Sequence, residues 1–325
     1  MRKKLIVAAF LCAGTCLTSA GVTSRGISAE GLRSDVEYLC SGDTQGRGTG
    51  TRGGVEASFY LIRRFRQEGL IPFKGSFCQS FTCDSLCGHN VLGMLEGKHN
   101  VGTPKYIIIG AHFDNLGTIN GKTYPGADSN ASGVAAMLSI ARLFHEASLD
   151  GATFSHNIIF VAFDGYYEGR KGAETLWRAI EDGELSDPVS NLTITPSKIK
   201  LMVDIDQIGS TLSPISPNNK RFIMAIGEKT LPVDKRGLLM DRNIRGRFRF
   251  ELSSEYCGSS RFTEIFYKMG DRRVFIKGGV PTIYFTSGIT HFNNTEKDVP
   301  SSLDYSVFRD RCLFMYSYLE KFAGR

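Results

Sequence analysis

Four short apolar runs punctuate this chain, at 106–111, 157–163, 200–205 and 282–286. They are rich in Ile, Val and Phe and lack the polar alternation of a half-exposed strand, so each predicts a strand buried on both faces. Between the first two, apolar residues recur at helical spacing over 131–147, with Val134, Leu138, Ala141 and Phe144 on one face. The same period over 54–68 lines up Val55, Phe59 and Ile62, with Leu61 and Phe65 beside them and Arg63, Arg64, Arg66 and Glu68 on the rest. Gly69 stops that helix and Pro72 follows. A last helix over 303–322 gathers Phe308, Cys312, Met315, Leu319 and Phe322 on one side. Strands alternating with helices predict an α/β fold, a three-layer α/β/α sandwich around a mixed, largely parallel sheet.

The start of the chain follows a different pattern. Arg2, Lys3 and Lys4 precede an apolar stretch from Leu5 to Leu17, and Thr18, Ser19 and Ala20 supply small residues for cleavage. The stretch is short for a membrane span, so 1–20 reads as a signal peptide and 21–325 as a single exported domain, periplasmic or extracellular. Cys12 and Cys16 are the candidate positions for lipid attachment, but neither follows a good lipobox. No later segment is long and apolar enough to span a bilayer. The 325 residues carry a net charge of +6, which falls to +3 without the leader and gives no argument for a nucleic-acid partner. The basic run 242–249 reads as the solvated face of a strand or loop.

Beyond the leader lie six cysteines, Cys40, Cys78, Cys83, Cys87, Cys257 and Cys312. Disulfides suit an exported chain. Two of Cys78, Cys83 and Cys87 are close enough in sequence to pair locally. As a metal site the trio lacks the paired short spacings of a zinc ribbon.

Parallel sheets bind ligands beyond the carboxyl ends of their strands. His112, Asp164 and Asp206 all fall at such ends and so predict one shared site. Four segments surround them: Gly110-Ala-His-Phe-Asp114, Pro125-Gly-Ala-Asp-Ser-Asn-Ala-Ser-Gly133, Phe160-Val-Ala-Phe-Asp-Gly-Tyr-Tyr-Glu-Gly169 and Val203-Asp-Ile-Asp-Gln-Ile-Gly209. In order and phrasing they resemble the secreted di-zinc aminopeptidases of bacteria, a zinc-exopeptidase family. The resemblance begins at Leu32-Arg-Ser-Asp-Val-Glu-Tyr-Leu39 and the turn Gly46-Arg-Gly-Thr-Gly-Thr51. It continues through Gly278-Gly-Val-Pro-Thr-Ile-Tyr-Phe-Thr-Ser-Gly288 to Asp304.

The resemblance implies a site for two zinc ions, each position of which can be read in this chain. His112 and Asp206 keep ligand residues, and Asp114 keeps the place of a supporting carboxylate. The bridging carboxylate falls on Ser129, the general base on Tyr166, the next ligand on Tyr167 and the final histidine on Asn294. An upstream Ser-Asp-His becomes Gly270-Asp271-Arg272. Tyrosine, with a reference pKa of about 10, is a poor zinc ligand at neutral pH, and serine and asparagine bring no charge to offset Zn²⁺. The expectation is therefore no zinc, or one weakly held by His112, Asp206 and Asp128. A fuller substitute set would add Glu168 and His291. Loss of a positioned base alone removes roughly 10²–10⁴ in rate. These readings favour a catalytically impaired binder of a peptide or small ligand, using Asp114, Ser129, Tyr166, Tyr167 and Asn294. The alternative is an active metallo-exopeptidase working through a rearranged or single-zinc site. Phe163-Asp-Gly165 also resembles glutaminyl-cyclase phrasing, but that chemistry needs the same missing acids.

Overall fold

The computed structural model describes residues 26–97 and 103–324. The leader expected at 1–20 lies outside the described residues. The elements run in the order α1 (Ala29–Leu39), α2 (Arg52–Gln67), β1 (Ile71–Pro72), β2 (Cys78–Cys83), β3 (Leu86–Leu95), β4 (Tyr106–His112), β5 (Gly117–Ile119) and β6 (Lys122–Tyr124). They continue with α3 (Gly133–Leu149), β7 (Asn157–Phe163), α4 (Lys171–Glu181), β8 (Ile199–Ile205), β9 (Phe222–Ile226) and α5 (Leu238–Arg245). The last are β10 (Glu251–Ser253), α6 (Ser260–Tyr267), α7 (Arg272–Lys277), β11 (Thr282–Thr286) and α8 (Tyr305–Phe322).

The main sheet has the order β1-β3-β7-β4-β8-β11-β9-β10, with β2 also paired to β3. Its four central strands, β7, β4, β8 and β11, are parallel, while β3 and β9 join them antiparallel. Alternate residues of these strands feed opposite cores, as the two-residue period requires. Ile107, Ile109, Phe160, Leu201 and Val203 pack under α1, α2, α3 and α8; Ile108, Ile159, Val161 and Met202 pack on the side of α4 and α7. Close layering sets one glycine. A Cβ at Gly110 would lie 2.4 Å from the Phe163 ring, so that ring can cross β4 only above a bare backbone.

The expected helices and strands are present, with two corrections of detail. On α2 the buried stripe is Ala57, Leu61 and Phe65, while Phe59 is 54% exposed. The stripe follows the i, i+4, i+8 spacing, and Phe59 is rotated about 160° from Leu61 and points to water. Full burial of Leu61 contributes about 1.5–3 kcal/mol. Thr51, inside the expected turn, caps α2 by accepting from Gly54 N. The basic run 242–249 begins on a helix rather than a strand. Arg242 and Arg245 occupy the last turn of α5, where cations favour the helix dipole, and Arg247 and Arg249 follow at positive φ.

The register leaves Cys78, Cys83 and Cys87 unable to pair with one another. Cys78 lies opposite Val91 and Cys87 opposite Thr82, so the two share a face but stand four positions apart, about 13 Å. Cys83 is beside Cys87 but points to the other face. All six described cysteines are free.

Candidate functional site

The carboxyl edge of the parallel strands gathers the expected residues. His112 ends β4, Asp164 follows β7 and Asp206 follows β8. All three are buried, as is Asp114. The His112 ring lies between two carboxylates. Its Nε2 is 3.6 Å from Asp206 Oδ1 and its Nδ1 is 3.7 Å from Asp114 Oδ1. Nδ1 also faces the Asp114 backbone oxygen at 3.1 Å. Burial opposes a charge on this ring, but the carboxylates of Asp114 and Asp206 on either side outweigh it, holding the imidazole well above its ordinary pKa.

The two tyrosines cover this histidine. Tyr166 stacks on His112, with ring centroids 4.0 Å apart and planes inclined by 15°. The Arg170 guanidinium lies over Tyr166 at 5.0 Å. Tyr167 stands edge-on, 6.3 Å from His112 and 5.3 Å from Tyr166. Its backbone N donates to Asp114 Oδ2 and its hydroxyl donates to Asn294 Oδ1 at 2.7 Å. Ser129 lies close enough to this phenol to counter part of the upward push of burial on it. Ser129, Tyr167 and Asn294 are therefore brought together around one hydroxyl. Burial raises both phenols above their ordinary values, so both are neutral at neutral pH.

Asp128 is anchored through one carboxyl oxygen, while its Oδ2 is buried without a hydrogen-bond partner. Its Oδ1 accepts from Gly209 N at 2.9 Å, Ser210 N at 3.1 Å and Ser132 Oγ at 3.2 Å. These bonds turn it toward the loop after β8. Asp298 in turn accepts from the backbone N of Asp128 and of Ser129, at 2.8 and 3.0 Å. Glu168 is half-buried on the tyrosine loop and His291 is exposed beside Phe292. Among the described residues, no three His, Cys, Asp or Glu side chains are arranged to hold a metal ion. Neither the His112–Asp206–Asp128 set nor the fuller set with Glu168 and His291 converges.

The donor atoms test the fit of zinc directly. His112 Nε2, Asp206 Oδ1 and Asp114 Oδ1 are buried without a hydrogen-bond partner. Two of them, Nε2 and Asp206 Oδ1, face each other and would serve one ion. Asp114 lies at the opposite ring nitrogen and cannot share it. The remaining positions offer a hydroxyl, an amide and two neutral phenols, so a zinc pair does not fit this set.

Several neighbours make contacts that their places in the sequence did not specify. Asp164 is fully engaged, accepting from Thr49 Oγ1, His89 N and Gly165 N at 2.8 Å each. Asp204 forms a buried ion pair with Arg272 at 2.7 Å, and that guanidinium lies 3.5 Å over the Tyr284 ring. Asp204 was legible as an acid two residues before Asp206 on the same strand face. Asp271 is buried with both carboxyl oxygens unpartnered, and burial and the Asp204 charge hold it well above the ordinary carboxyl range. Buried Arg47 binds four backbone carbonyls, those of Leu39, Phe113, Pro125 and Gly126. It thereby ties the segments on either side of the site to α1.

Comparisons with known proteins agree with this fold. A family model described as Peptidase family M28 matches residues 90–316. The chain is 30% identical over 153 residues to the alkaline phosphatase isozyme conversion protein of Escherichia coli, covering 43% of each chain. It is 22% identical over 232 residues to a probable zinc metalloprotease of Pyrenophora tritici-repentis, covering 64% of this chain and 48% of that one. The chain thus spans less than half the length of these curated relatives. Among solved structures, the LapA aminopeptidase of Legionella pneumophila is similar at a TM-score of 0.69 and 16% identity, over 92% of this chain and 73% of that one. BSAP, a zinc aminopeptidase from Bacillus subtilis, is similar at 0.67 and 11% identity, over 93% and 97%. Porphyromonas gingivalis glutaminyl cyclase is similar at 0.66 and 15% identity, over 90% and 98%. At these identities the structural likeness is one of fold.

Proposed function

The chain belongs to peptidase family M28, and from that premise we propose that it is an exported member that binds a peptide or small ligand in its cleft and no longer performs two-zinc hydrolysis. The observation that carries this reading is the stacking of Tyr166 on His112. The position that the resemblance assigns to the general base holds a neutral aromatic ring lying flat on the retained histidine. A neutral phenol does not take a proton from water at neutral pH.

The same residues suit binding. The faces of Tyr166 and Tyr167 offer apolar area with polar tips. Asp206 and Asp114 each present a buried carboxyl oxygen without a hydrogen-bond partner. A ligand amino group would find charge there, and peptide groups would find the Tyr167, Ser129 and Asn294 polar atoms. A peptide with a free amino end fits this combination.

The deciding experiment pairs two assays on purified protein. Peptide binding is measured by calorimetry, and release of amino-terminal residues is measured with and without added zinc. Binding without zinc-dependent release is the expected outcome. Release that rises with zinc would overturn the proposal in favour of a single-zinc exopeptidase held at His112 and Asp206.

A further inference from the structure

The outer face of the β2–β3 hairpin carries chemistry that the cleft does not use. Cross-strand partners share a face of the ladder. Ser80 lies opposite His89, Thr82 opposite Cys87 and Cys78 opposite Val91, so Cys78, Ser80, Cys87 and His89 stand on one face. The His89 ring sits between the two thiols. Its Nδ1 is 3.5 Å from Cys78 Sγ and 3.1 Å from Ser80 Oγ, and its Nε2 is 3.9 Å from Cys87 Sγ. Cys87 is exposed, and Cys78 is partly buried. Because the sulfurs flank opposite nitrogens, one metal ion cannot take both with the imidazole. An imidazole between two thiols is suited instead to moving a proton.

We propose that Cys87 is a thiol-modification site, activated by His89, that reacts with low-molecular-weight disulfides. The Cys87 proton passes to Nε2, and the Nδ1–H of the resulting imidazolium is held by Ser80 Oγ and Cys78 Sγ. The thiolate attacks one sulfur of the disulfide RSSR. The S–S bond of RSSR breaks, a bond forms between Cys87 Sγ and one SR group, and the departing RS⁻ takes the proton from His89 to leave as RSH. Cys87 is oxidised and the disulfide is reduced, so no other oxidant is required.

The register also dictates the fate of the product. Cys78 is about 13 Å along the ladder, beyond the ~7 Å between Cα atoms that a disulfide spans. Cys83 points to the opposite face, where its Sγ meets the Glu168 backbone oxygen at 3.8 Å. Neither displaces the added group. The mixed disulfide therefore persists until an external thiol removes it.

Cys257 supplies an internal reference, being exposed with no imidazole contact among the described residues. The test treats the full chain with oxidised glutathione near pH 7 and follows each cysteine by peptide mass spectrometry. Cys87 is expected to react at least about tenfold faster than Cys257. His89→Gln keeps the backbone N–H that bonds Asp164 and is expected to bring the two rates together at an unchanged melting temperature. Should that variant fail to fold, Ser80→Ala carries the test, since it removes the oxygen beside His89 Nδ1 and is expected to slow Cys87 while leaving Cys257 unchanged. Equal rates for the two cysteines, a Cys87 rate unaltered in a folded His89→Gln or Ser80→Ala, or faster reaction at Cys78 would each overturn the assignment.

Discussion

The Tyr167 hydroxyl donates to Asn294 Oδ1 at 2.7 Å across 127 positions of sequence. The bond joins two places to which the family resemblance assigns metal ligands. It is exposed to solvent, so its net contribution is small. Tyr167→Phe and Asn294→Ala should each cost about 0.5–1 kcal/mol, and the double variant little more than either. A double-mutant cycle by urea unfolding measures this. Strict additivity would mean that the two side chains do not interact in solution.

Metal content follows from the donor set. With a zinc pair unsupported, the purified protein should retain fewer than two zinc ions, and chelator should barely shift its melting temperature. An ion present at a hundredfold excess over its Kd would add about 2.7 kcal/mol. Elemental analysis and calorimetric melting with EDTA read both quantities, and a large chelator-induced drop would contradict the expectation.

If the four altered positions still line the cleft, they can be rebuilt together. Ser129→Asp, Tyr166→Glu, Tyr167→Glu and Asn294→His in one protein should create zinc binding. Each change alone should do little, because a lone buried acid lacks the ion that neutralises it. Without metal the quadruple variant should melt below its parent and recover when zinc is added. Zinc stoichiometry no greater than the parent's would mean that these side chains do not converge.

Stability at low pH has a source far from the cleft. Buried Asp187 accepts from Tyr106 Oη, Asn157 Nδ2, Val189 N and Ser190 N, at 2.7–2.9 Å. Burial opposes its charge, but the bonds from Ser190, Tyr106 and Val189 outweigh it and hold the carboxyl below the ordinary 3.8. A depressed folded value stabilises the native state fully above the unfolded value and stops doing so as pH falls through the folded one. Asp187→Asn should therefore cost about 1–3 kcal/mol at pH 7. The gap from wild type should narrow only below pH 3.8. Urea melts from pH 7 down to the acid limb test the sign, and a gap that widened toward acid would refute it.

Arg47 makes the strongest claim on local order. It is fully buried and donates to four backbone carbonyls and, more weakly, to the Cys40 thiol. Arg47→Met leaves several of them unsatisfied and should cost at least about 3 kcal/mol. Hydrogen exchange should rise first in the segments around Phe113 and Gly126. A loss spread evenly over the chain would argue against the tie.

The central strands were legible because residues buried on both faces leave continuous apolar runs, and 157–163 and 282–286 coincide with β7 and β11. The stripe on α2 was misread because Phe59 fits an apolar pattern, yet a single exposed aromatic costs little and Ala57 carries too weak a signal to displace it. At the site, place was legible and partnership was not. The position of Asp128 beside Ser129 suggested a ligand, whereas the direction of its carboxyl depends on amides more than eighty positions away. The stacking of Arg170 on Tyr166 and the pairing of Asp204 with Arg272 escaped because tertiary packing, rather than spacing, brings these partners together.

The carboxylates of Asp128 and Asp298 stitch three loops through main-chain amides at 128, 129, 209 and 210. Main-chain groups are present whatever side chain a codon specifies. The cleft walls are thus held by a lattice that substitution at 129, 167 or 294 leaves untouched. Such a cleft can exchange its reactive side chains one at a time, each intermediate sequence still folding, so chemistry at its floor is free to drift while its shape stays available to selection.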